Sequence, residues 1–156
     1  MFSNFSQDYF EISPKIIYRQ TSKNIIATID YKKHFNDKTV HILSNKSSFN
    51  FDLRYILGIL NSTLIDYYLK QYKQEGGKAF AQIKTIDVKN FPFIYSKKLE
   101  SSMIEKIDEI LSSKAANPEA DTKILESEID QLAYQLYDLT EEEIKIIEET
   151  TRYVTP

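Results

Sequence analysis

Leu53, Ile56, Leu57, Leu60, Leu64 and Tyr67 or Tyr68 recur at three- and four-residue steps, laying one apolar face along about four helical turns. A helix with a single apolar face must bury it, so the rest of the chain has to supply a partner layer. Asn50 or Asp52 offers the side-chain oxygen that a helix start needs for its free N–H groups. The helix is expected to run to about Tyr72 and to stop before Gly76-Gly77, the only Gly-Gly pair in the chain.

The partner layer is written on both sides of it. Lys15–Gln20 and Asn24–Asp30 are β-branched runs separated by the polar Thr21-Ser22-Lys23, and they read as a hairpin or a closely spaced pair of strands. Lys38–Leu43 reads as a third strand, and Ala79–Ile83 as a short extended piece after the glycines. Asp87–Asn90 fits one helical turn, ended by Phe91-Pro92-Phe93. Beyond residue 98 the chain is helical. Leu99, Met103, Ile107, Ile110 and Leu111 mark one helix. Leu125, Ile129, Leu132, Leu136 and Leu139, spaced 4-3-4-3, form the seam of a second. Thr140-Glu141-Glu142-Glu143 is a capping box that opens a last short helix. The fold class is therefore α+β: a small mixed or antiparallel sheet packed on one long helix, followed by a C-terminal helical hairpin.

Charge divides the chain at the same place. Residues 1–98 hold 15 Lys and Arg against 8 Asp and Glu, a net +7, while residues 99–156 hold 5 against 15, a net −10. That division suggests a basic body over 1–98 that binds a polyanion and an acidic helical tail over 99–156.

Much chemistry is excluded. With three glycines and no glycine-rich motif the chain has no phosphate loop, and with no cysteine it has neither thiolate metal sites nor a cysteine nucleophile. The only histidines, His34 and His41, lack a supporting carboxylate pattern and receive no site. Glu143-Ile144-Lys145 has a form found in nucleases but lies inside the capping box, so it is read as structure. Tyr67, Tyr68 and Tyr72 are read mainly as helix core. The start lacks a basic region followed by an apolar run. The most apolar stretch, Tyr55 to Leu69, is interrupted by Asn61, Ser62 and Asp66. A soluble cytoplasmic protein without a membrane partner is expected.

An ordered set of short motifs resembles one family. Tyr55-Ile56-Leu57-Gly58-Ile59-Leu60-Asn61-Ser62 is similar to the helix signature of the TaqI-like C-terminal specificity domain. That domain is the target-recognition part of type II, especially type IIG, restriction-modification enzymes and adenine-N6 DNA methyltransferases. Gly76–Lys84 resembles the family's loop and strand, Asp87–Phe93 its following segment, and Lys15–Arg19 with Asp30 its opening strands. Ile129–Ile144 resembles the tail common in these enzymes. Ala81 departs from the pattern by standing where proline is expected, which bears only on the stiffness of that strand. In such enzymes an S-adenosylmethionine site and an Asn-Pro-Pro-Tyr-type motif precede the specificity domain. Here Pro14, Pro92, Pro118 and Pro156 are all isolated. The resemblance thus implies a recognition domain apart from its catalytic half, as an expressed fragment or a truncated gene product. It would carry no cofactor of its own, S-adenosylmethionine belonging to the catalytic half. Its partners would be duplex DNA and a catalytic methyltransferase or endonuclease domain of the same or another chain.

Such a domain needs cations for phosphates and polar groups for base edges. Arg19, Lys23, Lys32, Lys33, Lys46, Lys70, Lys73, Lys78 and Lys84 supply the charge. The loop Gln74–Lys84 is the favoured region. Gly76 and Gly77 permit close backbone approach, Gln82 matches an adenine edge and Lys84 a guanine edge. The loops Thr21–Asn24, Tyr31–Lys38 and Ser44–Asn50 are alternative readers. A competing reading is a non-catalytic protein-interaction or oligomerisation module that uses the C-terminal helical hairpin.

Overall fold

The computed structural model describes residues 11–45, 51–72 and 82–152. Three short strands, β1 (Lys15–Arg19), β2 (Ala27–Asp30) and β3 (Val40–Leu43), form an antiparallel sheet in the order β2-β1-β3. Lys15 pairs with Asp30 and Tyr18 with Ala27 on one side of β1. On the other side, Ile16 pairs with Leu43 and Arg19 with Val40. Ile16 and Tyr18 alternate along the pleat and are buried together. Among the described residues six helices follow: α1 (Leu53–Leu60), α2 (Thr63–Tyr72), α3 (Thr85–Lys89), α4 (Lys97–Ala116), α5 (Lys123–Leu136) and α6 (Glu141–Arg152). The α+β class holds. Among the described residues no helix is long and apolar enough to cross a membrane.

The single long helix expected over 53–72 is two helices, broken at Asn61-Ser62. The break is built from polar side chains that satisfy backbone or tertiary partners in place of another helical turn. The Asn61 amide turns onto Ala27 of β2, accepting from its N–H and donating to its C=O, both at 3.0 Å. The fully buried Ser62 hydroxyl donates to the Ile59 carbonyl at 2.7 Å. Thr63 starts α2 by donating its N–H and its hydroxyl to the two Asp130 carboxylate oxygens of α5, each at 2.7 Å. One turn on, Asp66 accepts the Ile25 N–H at 2.9 Å. The outer edge of β2 is thereby met by side chains at Ala27 and, just before the strand, at Ile25, where another sheet would add a strand.

One apolar core runs from the sheet through α1 to α4 and α5, with Ile16, Ile59, Leu60, Met103 and Ile107 at its centre. Gly58 lets α1 and α4 close. A Cβ there would collide with Met103 Sδ and stand 2.8 Å from its Cγ. The 4-3-4-3 seam of α5 is used inside the chain: Ile129 and Leu136 are buried and Leu132 packs on the same core. The capping box forms as expected, Thr140 N–H donating to the Glu143 carboxylate at 2.8 Å and Glu143 N–H to the Thr140 hydroxyl at 3.3 Å.

Two outcomes follow from this packing. Gly58→Ala should cost about 1–3 kcal/mol in urea unfolding through overpacking. In a Met103→Ala background the same change should be neutral or stabilising, since only the helix propensity of alanine remains. Asp66 gives a pH signature: burial pushes its carboxyl up to about 7, with Asp130 adding to the shift and the Ile25 N–H and Lys70 opposing it. The folded chain therefore keeps a proton that the unfolded chain releases near 3.8, so stability falls as pH rises from about 4 to about 7. Asp66→Asn should remove that fall, raising the melting temperature above wild type at about pH 7.5 but not at about pH 4.5.

Candidate nucleic-acid interface

The candidate DNA-binding residues do not gather in one place. Thr21 bridges to Gln82, and the Ile83 N–H donates to the Gln20 carbonyl at 2.7 Å. This brings Arg19, Lys23, Gln82 and Lys84, all exposed, to the end of the sheet where β1 finishes. Lys84 stands at the start of α3, its N–H donating to the Asp87 carboxylate at 2.7 Å. Lys32 and Lys33, also exposed, leave the opposite end, where β2 finishes beside the start of β1. The whole length of β1, about 13 Å from Lys15 to Arg19, lies between the two groups. Lys46, Lys73, Gly76, Gly77, Lys78 and Ala81 lie outside the described residues. Lys70 is half-buried on α2, with its Nζ out of solvent, and belongs to neither group.

The Lys32–Lys33 end rests on an arrangement that the sequence reading missed. Lys15 and Asp30, partners across β1 and β2, form an ion pair at 3.3 Å with side chains 0% and 1% exposed. The Lys15 ammonium also donates to the His34 carbonyl at 3.1 Å. Asp30 accepts from Lys32 N–H at 2.9 Å, His34 N–H at 2.8 Å and the His34 ring Nδ1 at 2.9 Å. Burial opposes ionisation of Asp30, but these hydrogen bonds, with that from Lys15, hold its carboxyl down at about 2. Between the anchored residues Lys33 takes a left-handed backbone conformation, φ 58°, which a lysine adopts only where its surroundings over-determine it. Tyr31, 57% exposed, and Phe35, 76% exposed, flank the two lysines. The only sequence signal was a lysine opening one strand and an aspartate closing the next.

A second built feature is the strap Asn90–Ser96. Its alternate carbonyls each receive a tyrosine hydroxyl: Tyr68 to Asn90 at 3.2 Å, Tyr137 to Pro92 at 2.9 Å and Tyr55 to Ile94 at 3.1 Å. Tyr68 is thus partly a clamp, while Tyr72 stacks on its ring and stays exposed. The strap walls an apolar groove of about 610 Å³ lined by Leu43, Phe51, Tyr55, Phe93, Ile94 and Tyr95, with Lys89 the one charged side chain among the described residues that line it. The groove and the pinned loop are neighbours, since a second cleft containing Tyr31 shares Asn45 and Phe51 with it. Among the described residues no group of three or more His, Asp or Glu is placed to hold a metal ion.

A family model, the TaqI-like C-terminal specificity domain, matches residues 2–93. The match spans the sheet, α1 to α3 and the first part of the strap, and ends before α4. No curated protein matches the sequence.

Removing one partner of a buried ion pair leaves an uncompensated charge. Asp30→Asn should therefore cost about 3–5 kcal/mol at pH 7 in urea unfolding, and amide exchange at Lys32 and His34 should speed up. Lys15→Met/Asp30→Leu should recover most of the stability but not the protection. In wild type, the folded pKa lies below the unfolded 3.8. The contribution is then full above about pH 4 and lost as pH falls towards 2.

Proposed function

The chain belongs to the TaqI-like C-terminal specificity domain family, and on that footing we propose that it is the DNA target-recognition module of a restriction-modification enzyme or DNA adenine methyltransferase. A specificity domain of this family is non-catalytic by itself. The observation that carries the reading is the Tyr31–Phe35 loop, where two exposed lysines and two exposed rings are held in place by a buried ion pair. Lysines on such a loop neutralise phosphates, and a fixed loop places neighbouring groups at base edges. The second cationic group, Arg19, Lys23 and Lys84 with Gln82, lies at the other end of the sheet and adds to the positive surface.

In this reading S-adenosylmethionine and the reacting base belong to a catalytic methyltransferase or endonuclease domain, of this chain or another, working in the cytoplasm. This chain contributes sequence-specific duplex binding and no bond-making chemistry. The oligomerisation reading is the weaker one, because the seam of α5 that would serve it packs against the chain's own core.

Fluorescence anisotropy with mixed-sequence duplex DNA between about 50 and 200 mM salt tests the proposal. If about five phosphates are contacted, log affinity should fall with log salt at a slope near −4 to −5. Lys33→Ala and Lys84→Ala should each make the slope shallower by about one. Absence of binding at about 50 mM salt, or a slope unmoved by both variants, would overturn it.

A further inference from the structure

His34 is held at three points and yet faces solvent. Its N–H and ring Nδ1 bind Asp30 at 2.8 and 2.9 Å, its carbonyl takes the Lys15 ammonium at 3.1 Å, and its side chain is 65% exposed. The tautomer follows from chemistry. An ionised carboxylate only accepts hydrogen bonds, so the nitrogen facing Asp30 must carry the proton. In a neutral imidazole the other nitrogen, Nε2, then bears the lone pair. No hydrogen bond among the described residues reaches Nε2. Among the described residues the charged group in contact with the ring is Asp30, itself paired with Lys15, and Lys32 and Lys33 precede His34 on the same loop.

A hydrogen-bond acceptor aimed in a fixed direction from a basic loop suits a particular partner. Phosphate oxygens are acceptors and gain nothing from a lone pair. The exocyclic amines of adenine (N6) and cytosine (N4) are donors in the major groove. We infer that His34 is a base-reading residue whose Nε2 accepts from an adenine or cytosine exocyclic amine, with Asp30 and Lys15 as its positioning residues. This inference rests on the duplex-binding reading above and assigns one determinant within it.

The test is selection from a duplex pool with a randomised core of about eight base pairs, at a pH where imidazoles are generally neutral. Wild type should enrich adenine or cytosine at one position. His34→Ala and the similarly shaped His34→Phe, each checked for an unchanged circular-dichroism melt, should lose the preference there alone. Affinity for the selected duplex should fall roughly ten- to a hundred-fold, with non-specific affinity and salt slope unchanged. Replacing the selected adenine with purine, or the cytosine with 2-pyrimidinone, removes the amine. Wild type should then lose affinity while the His34 variants do not. Unchanged selection in both variants would overturn the inference and leave the duplex-binding reading standing. So would a uniform loss on all sequences with a shallower salt slope, the mark of a phosphate contact. Failure of wild type to bind any duplex would overturn both.

Discussion

The Lys15–Asp30 ion pair constrains everything at its end of the sheet. Taking both charges out of water is expensive, and their mutual attraction repays it only when the remaining polar atoms are also satisfied. Here they are: Asp30 receives three N–H donors besides the ammonium, and Lys15 reaches the His34 carbonyl as well. All those extra donors and acceptors come from Lys32 and His34. The pair and the loop therefore support one another: the loop's groups help satisfy the buried charges, and Asp30 fixes the residues on either side of the left-handed turn at Lys33.

Elements set by local chemistry were legible in the sequence. The β-branched runs became β1 to β3, and the Thr140–Glu143 box closed as written. The helix break was not legible, because Leu60, Leu64 and their neighbours keep the same spacing across it. Two features separate a continuous helix from a broken one here: the Asn61 amide meeting Ala27, and Asp130, 67 residues further on, accepting from Thr63. Neither contact has a period. The ion pair was hidden for the same reason: lysine and aspartate near strand ends are ordinary surface residues until the β1–β2 register places them opposite one another. His34 looked featureless because its carboxylate partner sits four residues earlier on a strand, where no ligand pattern would place it.

The strap resolves how the family-matched body and the helices beyond it form one piece. An extended segment that pairs with no strand leaves its carbonyls without ladder partners. In Asn90–Ser96 alternate carbonyls go instead to tyrosines from α1, α2 and the end of α5, so the strap is fastened to both regions at once. Burial pushes the Tyr137 phenol up to about 12, which keeps that hydroxyl a donor across the ordinary pH range. The high tyrosine content, 11 residues in 156, thus has a structural use beyond ring packing.

On the proposed duplex-binding reading, grip and discrimination place different demands on side chains, and this sheet would separate them. Lysines on long flexible stems tolerate imprecise placement, since a phosphate contact is a point charge meeting another. Reading a base edge needs a donor or acceptor of known direction, and direction has to come from the scaffold. A core of apolar residues at positions 15 and 30 would serve stability as well or better. It would leave Lys32 and Lys33 exposed and charged, so the grip would survive while the orientation of His34 was lost. The polar core beneath the loop is thus better explained by the direction it imposes than by any stability it adds. It also separates two kinds of change: substitutions at 31 to 35 alter what the loop presents, whereas substitutions at Lys15 or Asp30 alter whether it presents anything in a fixed direction.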